Sequence, residues 1–364
     1  MKLHSSLALL AALFRLALAN SIDVYPNTVN AGNSVVQFVS GLGGLDGPKV
    51  KPNNGTSYDW WYFDAVSTVS NCSIVIVFYV ATNAGFPFLL PGSAISANVF
   101  ATFEDGTSVF LPVNNQPSND GSAIIVTDGN GSAGYWESIG AQWVGSPTMS
   151  NYVITIDSPT IGVKGTLTLS SVAPAHYPCG PVAPGANLEV LPNIGWANAV
   201  PDSNAVANFT IDNKRVQFTG IGYHDKNWGV QPFAANVDSW YWGHGRLGPY
   251  SIVWFDTIAA DGSEHVSSYA ALNGKIVASS CSGIKVRPTG NNSQYPPVMT
   301  TGNPGGFHID LNLPNGKVLE VNVTTTLVVA DAGLYARYTG TLSGGVQGST
   351  VYHGVALYEQ FTLR

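Results

Sequence analysis

Asn151-Tyr-Val-Ile-Thr-Ile-Asp157, followed closely by Gly165-Thr-Leu-Thr-Leu-Ser170, alternates apolar and polar side chains with period two. Such alternation marks an extended strand with one buried face, because successive Cβ atoms point to opposite sides of a sheet. Arg215-Val-Gln-Phe218, His308-Ile-Asp-Leu-Asn-Leu313 and Leu319-Glu-Val-Asn-Val323 repeat the pattern. Ser73-Ile-Val-Ile-Val-Phe-Tyr-Val80 is a β-branched and aromatic run of strand length. Turn signals separate these runs: Glu104-Asp105-Gly106, Asp128-Gly129, Asp261-Gly262, Asn273-Gly274 and Asn315-Gly316. No window beyond the N-terminal segment holds a 3.6 period. Many short strands joined by Gly and Asn turns predict an all-β protein, sandwich or barrel, with a few short helices at most.

Composition narrows the class. The 364 residues set a prior of two domains. Hydrophobic residues make up 45% and charged residues only 10%, against about 25% charged in an ordinary soluble domain. That excludes a coiled coil and wholesale disorder. The formal charge is −7 with no basic stripe, so nucleic acid is not an expected partner. The 9 Trp, 16 Tyr and 15 Phe supply flat apolar binding walls as well as core.

The N-terminus reads as a targeting segment. Lys2 supplies a positive start, Leu7 to Leu18 an apolar stretch, and Ala17-Leu18-Ala19 a small-x-small cleavage site. Residues 1–19 are therefore predicted to be a signal peptide, placing the chain in the secretory pathway, secreted or lumenal. Ile74 to Ala81, the longest later apolar run, is strand-sized, so stable membrane insertion is not expected. Cys72, Cys179 and Cys281 allow at most one intramolecular bridge, whose pairing stays open. Glycosylation sequons stand at Asn54, Asn71, Asn130, Asn208, Asn291 and Asn322.

The chain also repeats itself weakly. Trp60-Trp-Tyr-Phe63 then Ser73-Ile-Val75 resembles Trp240-Tyr-Trp242 then Ser251-Ile-Val253, and three further landmarks follow in the same order. Two similar β-domains are expected, residues 20–229 and 230–364. The stretch from His176 to Pro201 has little periodicity and reads as a long excursion over the first domain.

Chemistry-bearing residues concentrate in Gly220-Ile-Gly-Tyr-His-Asp-Lys-Asn-Trp-Gly229. Two tryptophan-rich strands accompany it. In Tyr58-Asp-Trp-Trp-Tyr-Phe-Asp64, alternation puts Asp59, Trp61 and Phe63 on one side and Trp60, Tyr62 and Asp64 on the other. In Asp238-Ser-Trp-Tyr-Trp-Gly-His-Gly-Arg246, Trp240, Trp242, His244 and Arg246 share a face opposite Ser239 and Tyr241. Ionisable groups among tryptophans are unusual for a plain core. A largely apolar pocket is expected where these segments meet. No phosphate loop, G-x-S-x-G elbow or metal-ligand spacing is present, so no cofactor and no metal is expected.

Tyr-His-Asp-Lys-Asn-Trp-Gly (223–229), with Asp-Trp-Trp-Tyr-Phe-Asp (59–64) and Ser-Trp-Tyr-Trp-Gly (239–243), resembles the carotenoid-hydratase-like, lipocalin-like superfamily over most of the chain. That family commonly reads G-x-G-Y-H-D-H-N-W-G there, and Lys226 replaces its second histidine. The resemblance implies two tandem lipocalin-like β-domains. It also implies either a hydratase or a fungal natural-product Diels–Alderase, looking closest to secreted hetero-Diels–Alderases of tropolonic sesquiterpene pathways.

On that reading a small polyketide- or terpenoid-derived substrate undergoes a (hetero-)Diels–Alder cycloaddition, with prior dehydration if the diene is a quinone methide. His224 and Asp225 are the expected proton donors, and Tyr223 and Asn227 the donors that polarise a carbonyl. Trp61, Asp64, Trp228, Tyr241, Trp242 and His244 are the expected substrate wall. Hydration or dehydration of an alkene would use the same acid and walls, and a non-catalytic carrier would need only the aromatics.

Overall fold

The computed structural model describes residues 21–114 and 121–364; the expected signal peptide lies outside the described residues. Among the described residues the chain is strand almost throughout. Helical structure is confined to Phe233–Asn236 and two 3-10 turns, Pro159–Ile161 and Pro314–Gly316. No helix there is long and apolar enough to cross a membrane.

Two antiparallel sheets carry the fold. The first uses residues 21–229. Its spatial order is Ser21–Pro26, Ser122–Asp128, Gly131–Trp136, Ala141–Gly145, Asn151–Ser158, Val163–Ser171, Ile194–Ile211, Lys214–Gly229, Tyr58–Ser67, Ser73–Ala81, Ile95–Thr102 and Ser108–Asn114. The second runs Lys275–Ser280, Glu264–Leu272, Tyr250–Ala259, Val237–Leu247, Tyr352–Thr362, Tyr335–Val346, Val318–Asp331, Gly306–Asn312 and Ile284–Thr289. In each sheet the tryptophan-rich strand lies between the strand that follows it in sequence and the last long strand of its sheet.

Each sheet curls into a half-barrel, giving three cores. Ile74, Ile76, Phe78 and Val80 point into the first curl together with Ile125, Trp143, Ile154 and Leu167. Their neighbours Val75, Val77 and Tyr79 point the other way and meet Val253, Phe255 and Leu357 between the sheets. Trp254, Phe307, Tyr338 and Tyr358 fill the second curl. A strand covered on both faces has no solvent side, which is why Ser73–Ala81 reads as an unbroken apolar run. Asn151–Ser158, covered on one face, alternates.

The excursion differs from its expected place. Its last part is regular structure, because the strand Ile194–Ile211 begins well before Pro201. Its start, with the residue pair just ahead of it, reaches the second sheet instead of lying over the first alone. Ser267 Oγ donates to the Pro178 carbonyl, Tyr269 Oη donates to the Pro174 carbonyl, and Cys179 is bonded to Cys281. Cys72 is free and buried.

Candidate active site

The decisive element is Lys214–Gly229, a continuous strand whose residues from Ile221 onward are all buried. It pairs with Tyr58–Ser67 in the register Asp225↔Tyr62 and Asn227↔Trp60. Side chains alternate across a strand. The polar motif is thereby split: 224, 226 and 228 enter the first curl, and 223, 225 and 227 face the second sheet.

The inward half holds a plug. The glycine-rich segment 41–47 brings Asp46 into the curl, where it is fully buried. His224 Nε2 meets Asp46 Oδ1 at 3.0 Å and His224 Nδ1 meets the Tyr62 carbonyl at 2.9 Å. Ser132 Oγ and Tyr152 Oη donate to Asp46 Oδ2, at 2.6 and 2.9 Å, and Trp61 Nε1 donates to the Asp46 carbonyl at 2.8 Å. Lys226 pairs with Asp59, its ammonium 4.5 Å from the Trp61 ring and 4.7 Å from the Trp228 ring. Burial pushes the Asp59 carboxyl up and the Lys226 ammonium down, and each is the other's main offset.

His224 was an expected proton donor, and Trp61 and Trp228 expected substrate walls. The structure puts all three inside the first curl. Both nitrogens of His224 are engaged there, which leaves none for a ligand between the sheets. Tyr241 is displaced likewise: it points into the second curl, against Phe307 at 4.7 Å.

The outward half borders a cavity of about 280 Å³ between the two sheets. This lies near the lower end of the usual small-molecule range. One wall is a tile of the first sheet, Asp225–Tyr62–Val77–Asn98 beside Asn227–Trp60–Tyr79, fixed by strand register. The other is a tile of the second sheet. Trp242, Glu359 and Arg337 pair across three strands, and Trp240, Phe361 and Tyr335 pair in the adjoining row. Phe86 and Phe88, from the loop after Ser73–Ala81, close one side, with ring centroids 4.7 Å for Trp60–Phe86 and 5.4 Å for Phe88–Phe361.

Two buried carboxyls face the cavity, one from each wall. Asp225 Oδ2 accepts from Trp196 Nε1 and from Tyr223 Oη, both at 2.7 Å. Among the described residues nothing donates to Oδ1, which is left for the cavity. Burial pushes the Asp225 carboxyl up to about 7, against the pull of those two donors and of His224. Glu359 is held on both oxygens: Trp240 Nε1 donates to Oε1 at 3.2 Å, Tyr335 Oη donates to Oε2 at 2.8 Å, and Arg337 Nη2 lies 3.6 Å from Oε2. Burial raises its pKa as well, while Arg337 and the two donors oppose.

Of the remaining expected residues, Trp242 and Asn227 line the cavity, and Asn227 Nδ2 donates to the Gly195 carbonyl at 3.2 Å. Asp64 and His244 sit one row deeper. His244 Nε2 lies 2.9 and 3.0 Å from the two Asp64 oxygens, and its ring stacks on Tyr223 at 4.6 Å. Tyr223 bridges that pair and Asp225. Sequence reasoning gave no site role to Arg337, Tyr335 or Phe361. Period two in Tyr335-Ala-Arg337 and Glu359-Gln-Phe361 was the available signal. Of the six sequon asparagines, Asn71, Asn208, Asn291 and Asn322 are exposed, and Asn54 and Asn130 are half-buried.

Residues 23–289 match the family described as Diels-Alderase-like. The chain is 40% identical to the quinolone epoxide rearrangement protein penF of Penicillium thymicola, over 94% of this chain and 95% of that one. It is 36% identical to the quinolone epoxide rearrangement protein asqO of Emericella nidulans, over 99% of this chain and 97% of that one. Among solved structures, that of CghA with Sch210972 superposes with a TM-score of 0.75 at 16% identity, covering 94% of this chain and 98% of CghA. At that identity the likeness speaks for the all-β, lipocalin-like fold alone. The family match over most of the sequence, and two relatives aligned over nearly their whole length, establish that the chain belongs to the Diels-Alderase-like family.

Proposed function

We propose that this member of the family is a rearrangement enzyme of secondary metabolism, acting on an epoxide carried by an apolar ring system. The observation that carries the reading is Asp225: a carboxyl on the cavity wall, titrating near neutrality, with Oδ1 unoccupied and Oδ2 held by two donors. A general acid works best with a pKa near the working pH. In the proposed step Asp225 Oδ1–H gives its proton to the epoxide oxygen and one C–O bond breaks. The electron-poor carbon that results faces Trp60, Trp240 and Trp242, whose ring faces stabilise positive charge. A neighbouring group migrates with its bonding pair, and the proton lost as the new carbonyl forms returns to the Asp225 carboxylate. Tyr223, with Asp64 and His244 behind it, fixes the carboxyl's orientation. The two relatives named for quinolone epoxide rearrangement support this choice of substrate class.

A second reading, (hetero-)Diels–Alder cycloaddition of a polyketide- or terpenoid-derived substrate, is favoured by the aromatic walls. Holding diene and dienophile together supplies most of such catalysis and needs no proton. Asp225→Asn separates the two. Assayed on an aryl-substituted quinolone epoxide, the variant should lose about 10²- to 10⁴-fold in kcat, and wild-type kcat should fall as pH rises through about 7. Wild-type turnover in a folded Asp225→Asn protein, with a flat pH profile, would remove the proton-transfer step and leave the cycloaddition reading.

A further inference from the structure

The cavity wall carries donors that nothing among the described residues accepts from. Arg337 is buried, yet among the described residues its Nε and Nη1 have no hydrogen-bond partner, neither has Tyr62 Oη, and Trp242 Nε1 has none within hydrogen-bond geometry. All three residues line the cavity and cluster around one ring. Tyr62 lies 5.3 Å from Trp242, centroid to centroid, and the Arg337 guanidinium carbon lies 5.4 Å from the Tyr62 ring. Phe100 also flanks the guanidinium, at 4.6 Å. Glu359, the carboxyl paired with Arg337 across the strands, takes bonds from Trp240 and Tyr335 and meets Arg337 through Nη2 alone, at 3.6 Å.

A buried donor without an acceptor costs free energy, and in a native protein it calls for an explanation. Arg and Trp can only donate, so the missing partner is an acceptor with a lone pair, a role a carbonyl oxygen fills. Arg337 has one ionic partner, Glu359, at Nη2, and its other two nitrogens still lack an acceptor, which is costly inside an aromatic wall. Val77, Phe86, Phe100 and Phe361 around these donors require the rest of the ligand to be apolar.

We propose that Arg337, with Tyr62 and Trp242, anchors a carbonyl oxygen, or its enolate form, on an otherwise apolar fused-ring substrate. The anchor determines which substrates are accepted and which way round they lie. It rests on the proposed reading for one point alone, that the anchored molecule then presents its reactive oxygen to Asp225. Recognition by the donor cluster stands on the geometry of the wall. A site built to hydrogen-bond a substrate oxygen rejects the analogue lacking it, because its own donors are then left unpaired.

The test uses two probes of matched shape, 4-phenyl-2-quinolone and 4-phenylquinoline, titrated calorimetrically into the full-length protein. Wild type should bind the carbonyl probe at least about ten-fold more tightly than the deoxo probe. Arg337→Met should abolish that preference while leaving deoxo binding unchanged. Tyr62→Phe, which removes one hydroxyl without a partner among the described residues and keeps the ring, should lower the preference about three- to ten-fold. It carries the test should Arg337→Met fail to fold. Equal binding of the two probes by wild type, or an undiminished preference in Tyr62→Phe and in any folded Arg337→Met, overturns the anchor. Asp225→Asn should keep the full preference. A protein that discriminates the probes yet rearranges no epoxide would refute the acid role and leave the anchor standing, whereas epoxide turnover without discrimination would do the reverse.

Discussion

Asp225 ties the proposed chemistry to stability. An unfolded chain releases this proton above about pH 4, whereas the folded wall retains it to about pH 7. Between those limits the native state binds more protons, so the contribution of Asp225 is fully present below pH 4 and lost as pH rises to 7. Its size is on the order of 4 kcal/mol, from three pH units at about 1.4 each. Asp256, raised to about 7, titrates in the same sense. His176, lowered to about 4, opposes both. The check is therefore the difference between wild type and Asp225→Asn in denaturant midpoint across pH 4 to 8, which should change in that window and be flat above it. His224 predicts the converse pattern. His224→Ala strips Asp46 of one of its partners inside the first curl and should cost about 3–5 kcal/mol of stability, with kcat per folded molecule unchanged. A large fall in kcat at unaltered stability would return His224 to the site.

The strand Lys214–Gly229 shows what the sequence can and cannot reveal about an element. Its polar stretch, set between glycines, looks like a loop after a strand, and its residues look like one cluster because they are adjacent. The glycines instead mark close packing within a continuous strand: a Cβ at Gly220 would lie 2.0 Å from the Val66 carbonyl oxygen, and one at Gly229 would lie 2.6 Å from Tyr58 Oη. Alternation applied to 58–64 and 239–246 sorts those side chains correctly, with Trp60 and Tyr62 toward the cavity and Trp61 away from it. Extending the same rule through 223–229 assigns His224 to the plug and Asp225 to the cavity. The strand is launched by a two-residue turn, Asp212-Asn213, with φ of 46° and 68° between the paired residues Ile211 and Lys214. Both centres are left-handed, the geometry that matches hairpin twist. Asn213→Gly should leave the melting temperature unchanged or slightly raised. Asn213→Val should lower stability by about 1–2 kcal/mol.

At the scale of the whole molecule, period two and turn spacing made the all-β class legible, and the tryptophan-rich motifs pointed to the family. The wall formed by Arg337, Glu359 and Phe361 was hidden because it depends on register among strands far apart in sequence, which composition does not encode. The Cys179–Cys281 bond belongs to the same long-range order. It joins the excursion of the first sheet to the second sheet across 102 residues of sequence. Replacing both cysteines with serine should cost about 2–4 kcal/mol, seen as a lower denaturant midpoint, while Cys72→Ser should leave that midpoint nearly unmoved. A bond of this kind supports our proposal that the chain matures in the secretory pathway, where thiols oxidise. Because the cavity has one wall on each sheet, a bound small molecule must be released before the sheets can part. Heat resistance thus becomes a reporter of occupancy that needs no knowledge of the reaction. At a hundred times its dissociation constant a true ligand adds about 2.7 kcal/mol, enough to pick candidate substrates out of a mixed natural-product collection by melting curve alone, before any turnover assay exists.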